Sequence, residues 1–140
     1  MADLAVVAAE VGVINPRDAE MGFMTCASAT TAGQTLYRDA NGDGEIADAN
    51  VAGAQQTRAL ALEAGAAGQT ISVLFRGLVE GFTVAQAYDA PLYQSDTAGA
   101  IADAAGTLTV PVGIVTAIND GGGTPSKVVY FNPRSREDYA

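Results

Sequence analysis

The chain has no histidine, no tryptophan and a single cysteine in 140 residues. Without histidine the commonest general base and the commonest transition-metal ligand are both missing, and one thiol cannot build a zinc cage. The lone Cys26 excludes an intrachain disulfide and fits maturation in a reducing compartment. With no imidazole to activate it, it reads as a small buried residue rather than a nucleophile. Positive charge is scarce too: seven Lys and Arg stand against sixteen Asp and Glu, a net charge of −9. That balance repels phosphate backbones and anionic lipid, so neither nucleic acid nor membrane is an expected partner. Long apolar runs are missing; the longest uncharged stretch, 104–119, is broken by Gly106, Pro111 and Gly113 and is too short to span a bilayer. The opening Met-Ala-Asp-Leu carries an acid where a secretory leader needs positive charge, so no export by that route is expected.

What is present is a hydrophobic fraction of 49% and glycine-rich punctuation. One domain of this length buries about two thirds of its unfolded-chain surface, enough for a core without staples. From Thr31 onward, Ala32-Gly33-Gln34, Asn41-Gly42-Asp43-Gly44, Gly65-Ala66-Ala67-Gly68, Ala98-Gly99 and Gly121-Gly122-Gly123 separate short runs of Val, Ile, Leu, Thr, Phe and Tyr. The spacing predicts strands near 34–38, 45–48, 58–64, 70–76, 77–84, 90–95, 100–103, 112–119 and 126–132. Ile71, Val73 and Phe75 share one face by the two-residue period, as do Ile114, Thr116 and Ile118. The fold class is therefore all-β, a small barrel or sandwich with one face buried.

The β-body is written twice. Leu36-Tyr37 returns as Leu92-Tyr93, Gly65 as Gly121, Val73 as Val129 and Phe75 as Phe131, each 56 positions on. Two related units, about 31–77 and 87–133, follow from that offset. Residues 1–30 differ: Leu4, Val6, Val7, Val11, Val13 and Ile14 have no clean period, and Gly12 and Pro16 interrupt them. They read as an extended arm that packs against something outside its own β-body. Residues 134–140 after Pro133 read as a charged, solvated tail, with partner contact as the alternative.

One motif invites a metal. Asp39, Asn41 and Asp43 followed by Gly44 match the start of an acidic calcium loop, and Glu45 and Asp48 could complete a weak site. The twelfth position of such a loop needs a bidentate carboxylate and holds Asn50, and the ninth holds Ala47. The second unit carries SDTAGAIADA at the same place and keeps few of the ligands, so the shape of the turn does not depend on a cation. Asn-Gly and Asp-Gly supply the positive φ angles of a hairpin, and the turn reading comes ahead of calcium. No cofactor is expected. Gly121-Gly122-Gly123-Thr124 lacks the following Lys-Ser of a phosphate loop, and the carboxylates sit in turns where solvated charge is the ordinary explanation, so no catalytic residue is assigned.

The order of these segments resembles the capsid decoration, or head cement, proteins of tailed bacteriophages. The arm ADLAVVAAEVGVINP is followed by TAGQTLYRDANGDGEIADAN, RALALEAGAAGQTISVLFRGLV, DAPLYQSDTAGAIADA and finally VGIVTAIN with KVVYFNP. The resemblance implies a non-enzymatic structural protein, made in the host bacterial cytoplasm and carried on the outer capsid surface of the virion. It implies a homotrimer that bridges neighbouring major capsid subunits, with Leu4, Val6, Val7, Val11, Val13 and Ile14 as candidate contacts to a sister copy or the shell. Such a protein gains avidity by touching several subunits at once. The rival readings are a calcium-dependent surface or adhesion module, motivated by Asp39 to Asp48, and a phage tail or fibre component built from the same units. A carboxylate hydrolase comes after both.

Overall fold

The structure is a computed structural model that describes residues 2–119, 122–133 and 139. It is nearly all β. Ten strands are described: β1 (Gly12–Val13), β2 (Glu20–Thr25), β3 (Thr35–Arg38), β4 (Gly44–Ile46), β5 (Ala59–Ala61), β6 (Thr70–Glu80), β7 (Pro91–Gln94), β8 (Ile101–Ala102), β9 (Pro111–Ile118) and β10 (Ser126–Phe131). They form one antiparallel sheet in the order β4-β3-β5-β6-β10-β9-β7-β8, with β1 and β2 also pairing β6. The two repeats are the two halves of this order. From either end toward the centre each runs second, first, third and fourth strand of its half, and at the centre β6 of one half meets β10 of the other.

The sheet curls until its ends meet. Backbone hydrogen bonds from Thr35 N to Gly99 O (3.1 Å), Gly99 N to Ala47 O (2.8 Å) and Ala49 N to Ser95 O (3.0 Å) join the β3–β4 end to the β7–β8 end. Buried Gln94 fastens the same junction. Its Oε1 accepts the hydroxyls of Thr35 (2.5 Å) and Thr57 (3.0 Å), and its Nε2 donates to the carbonyls of Ala47 (3.0 Å) and Ala100 (3.2 Å). All of its polar capacity is used inside the protein, as burial of an amide demands.

Two apolar clusters fill the interior. The larger joins Leu60, Leu74, Val79, Leu92, Ile101, Val115, Val129 and Phe131 across both repeats. The smaller gathers Met24, Cys26, Leu36, Ala59, Ala61, Ile71 and Val73, with Phe75 packed against it. Cys26 is buried and free. Ile71, Val73 and Phe75 thus share a face as the alternation predicts.

The arm is a correction. Within the span 1–30, the described residues from Ala2 onward do not leave the β-body: Gly12 lies opposite Glu80, Val13 opposite Val79, and β2 follows antiparallel from Glu20 opposite Arg76 to Thr25 opposite Thr70. Further out, Leu4 N donates to Ile101 O and Val7 N to Gly81 O, both at 2.8 Å. Leu4, 7% exposed, sits in the larger cluster, and Val11 and Val13 pack against it. The physical reason is β6, whose two edges both need partners along eleven residues: at Val79 they are Val13 and Val129, and at Val73 they are Gly22 and Ala61. Gly77 lets β6 run through what the sequence divides into strands 70–76 and 77–84. Its φ of +150° suits glycine, and a Cβ there would fall 2.8 Å from that of Ala19.

The tail needs correction at its one described position. Residues 134–138 and 140 lie outside the described residues, but Tyr139 is buried in the larger cluster and not solvated. The Gly121 landmark of the second repeat also lies outside them.

Candidate functional site

The acidic turn is closed by its own carboxylates. Asp39 Oδ1 accepts the backbone N–H groups of Asn41 (2.9 Å) and Asp43 (3.0 Å), and Asp39 N donates to Asp43 O (2.9 Å). Glu45 Oε1 takes the Ser28 hydroxyl (2.6 Å) and its neighbour's N–H at Ile46 (2.9 Å), while Asp48 Oδ1 accepts Asn50 N (2.8 Å). Asp39, Glu45 and Asp48 therefore spend oxygens on three separate local tasks and do not converge with Asn41 and Asp43 on one point. Among the described residues no three acidic or thiol side chains group as a metal site. Burial pushes the Tyr37 hydroxyl up from its ordinary value, and the carboxylates of Glu45 and Asp39 add to the effect.

The six arm residues are dispersed. Leu4 is in the core, Val11, Val13 and Ile14 are half-buried, and only Val6 and Val7 are exposed. Val6 bridges to Phe82 beside the end of β6.

A surface the sequence does not single out lies on β2. Phe23 is 72% exposed and Met21, on the same face, 48%. Opposite Phe23 on β6 stands Ser72, too small to cover a phenyl ring. Gly22 between them faces the other way, and a Cβ there would strike the Phe75 ring at 2.7 Å, so the strand lies tight on β6 and offers the Met21–Phe23 side to solvent. Among the described residues β2 itself ladders with no strand except β6; just past its end Cys26 bridges Gly44 of β4 and Ala27 N donates to Gly44 O, so the outer backbone edge is open along the Met21–Phe23 stretch and closed beyond it. An open edge with large apolar side chains is what monomeric β-proteins avoid. An ion pair, Arg76 to Glu20 at 2.9 Å, borders it.

A second apolar row crosses the centre of the sheet. Ile14 is bonded to Leu78, Leu78 is opposite Tyr130, Tyr130 opposite Ile114 and Ile114 opposite Pro91, so four strands and the residue after β1 contribute one side chain each to the outer face. The next row, Val13, Val79, Val129 and Val115, faces the core. Ile114 and Thr116 are thus on the outer face and Val115 on the inner one. Sequence alternation finds the pair but not its side, because Val115 and Ala117 are apolar too. Two clefts flank the row and share Ile114 and Tyr130 as walls; Asn15, Asp18, Leu78 and Thr116 line one, Pro111, Gly113 and Asn132 the other.

Two carboxylates are tuned by backbone donors. The Asp103 carboxyl is held below its ordinary value chiefly by the Ala2 N–H, 2.8 Å from its Oδ1, and Glu63 is lowered by the N–H of Ser72. Both act as tethers. Compared with protein-family models, curated proteins and solved structures, the chain matches none.

Proposed function

We propose that the chain is a structural virion protein that decorates and stabilises the outer surface of a phage icosahedral capsid by bridging major capsid subunits. The observation that carries this reading is Phe23, exposed with Met21 on an open strand edge. It is the chemistry of a protein contact: main-chain groups for strand addition, with a large ring to anchor the docked chain. The order of sequence segments supports the phage assignment, and an acidic body suits the outside of a shell better than its DNA-facing interior. In this reading the β2 edge meets the shell and the outer row around Tyr130 meets sister subunits of a trimer.

The test is binding to expanded shells, with particle composition read by mass spectrometry. Copies in the hundreds per particle are the expected result, and a handful would move the protein to the tail. Phe23→Asp, which touches nothing in the core, should keep the fold and lose the shell. If Phe23→Asp binds as the native chain does, the contact is elsewhere.

A further inference from the structure

Tyr139 is only 3% exposed, and its contacts are those of a ligand in a site. Gln56 pairs with both backbone groups of this residue through one amide: Tyr139 N donates to Gln56 Oε1 (2.8 Å), and Gln56 Nε2 donates to Tyr139 O (3.0 Å). The phenol hydroxyl donates to the Pro111 carbonyl at 2.7 Å. The Arg58 guanidinium stands 5.8 Å from the ring centroid and is itself bonded to Gln56 Oε1 at 3.3 Å. Gln56 and Arg58 come from the first repeat and Pro111 from the second. Between Gln56 and Arg58, buried Thr57 is pinned by Gln94, so the walls are fixed by the same junction that closes the sheet.

We propose that the groove between residues 56–58 and Pro111 is a binding site for a tyrosine-bearing peptide, and that this chain fills it with its own Tyr139. Each chemical feature of the residue is read: the backbone by a paired amide, the ring by a cation and by the apolar cluster, the hydroxyl by a main-chain carbonyl. The site is therefore separable from its occupant, and a peptide supplied in trans enters once Tyr139 is removed.

The experiment uses full-length Tyr139→Ala and a fluorescent peptide of residues 133–140. The peptide should bind the variant and bind the native chain at least tenfold more weakly, since there the groove is already filled; the same peptide with alanine at 139 should bind neither. Equal binding to both proteins, or binding to neither, overturns the proposal. If Tyr139→Ala does not fold, Gln56→Ala supplies the test by amide hydrogen exchange. The Tyr139 amide should then exchange at least tenfold faster while β6, β9 and β10 keep their protection, and an unchanged rate overturns the site.

Discussion

At the scale of single residues, Gln94 carries the most consequence. It stands where the repeat offset places Arg38 in the first unit, and it is turned inward to bond Thr35, Thr57, Ala47 and Ala100. Gln94→Leu fills the same space but leaves the hydroxyls of Thr35 and Thr57 to find other partners in a buried place, while the carbonyls of Ala47 and Ala100 keep the N–H groups of Gly99 and Ser95. The expected loss is about 3 kcal/mol, read as a lower urea midpoint with an unchanged slope. Gln94 is the residue the sequence hid best, because glutamine in a strand reads as solvent-facing. Asp103 gives a pH prediction of defined sign. Its folded pKa is depressed, so its contribution is complete above the unfolded aspartate value of about 3.9 and is lost as pH falls through the folded value. A carbon-detected titration should place the Asp103 midpoint below about 3.9, with the Ala2 amide signal moving in step. A midpoint at or above that value would remove the tether.

At the scale of elements, the arm and the acidic turn lead to opposite expectations. The arm supplies β1, a core leucine and the pairing of one edge of β6, so deleting residues 2–15 should abolish cooperative thermal unfolding rather than spare the β-body. Leu4→Ala alone should cost about 3 kcal/mol by the cavity it leaves. A truncated chain that melts cooperatively near the native temperature would return the arm to an accessory. The turn should be indifferent to calcium, with chelator leaving the melting temperature unchanged. Asp39→Ala, which removes two turn hydrogen bonds, should cost about 1 kcal/mol in the presence or absence of the cation. These two elements also mark what the sequence makes legible. Strands from Thr35 to Phe131 were readable because glycine turns bracket them and β-branched residues fill them. The strands at 12–25 were not, since Met21, Phe23 and Met24 are apolar on both faces and give no alternation. Phe23 escaped for that reason: its exposure depends on Ser72 across the ladder, a partner 49 positions away in the chain. The doubling is legible as strand order and not as register: β3 and β7 and the starts of β6 and β10 keep the 56-residue offset, but Leu60 faces Leu74 whereas Thr116, 56 positions on, faces Val128.

At the scale of the whole molecule, two apolar surfaces remain open on an acidic body, the β2 edge and the row from Ile14 to Pro91. Sedimentation at micromolar concentration should show a trimer, and Ile114→Asp should reduce it to monomers while Phe23→Asp leaves it intact. A monomer from the native chain would count against the assembly. The doubled architecture also bears on how the molecule is made. Leu4 bonds Ile101, and Ala2 bonds Asp103 across 101 positions, so both leave the ribosome about a hundred residues ahead of their partners. At roughly 5–20 residues per second, the wait is on the order of 5–20 s. Throughout it, Leu4 has no core to enter and the first repeat has one half of β6 without β10. For that interval a nascent chain of this design carries Leu4 uncovered, and this contact closes only after the strands between have been made.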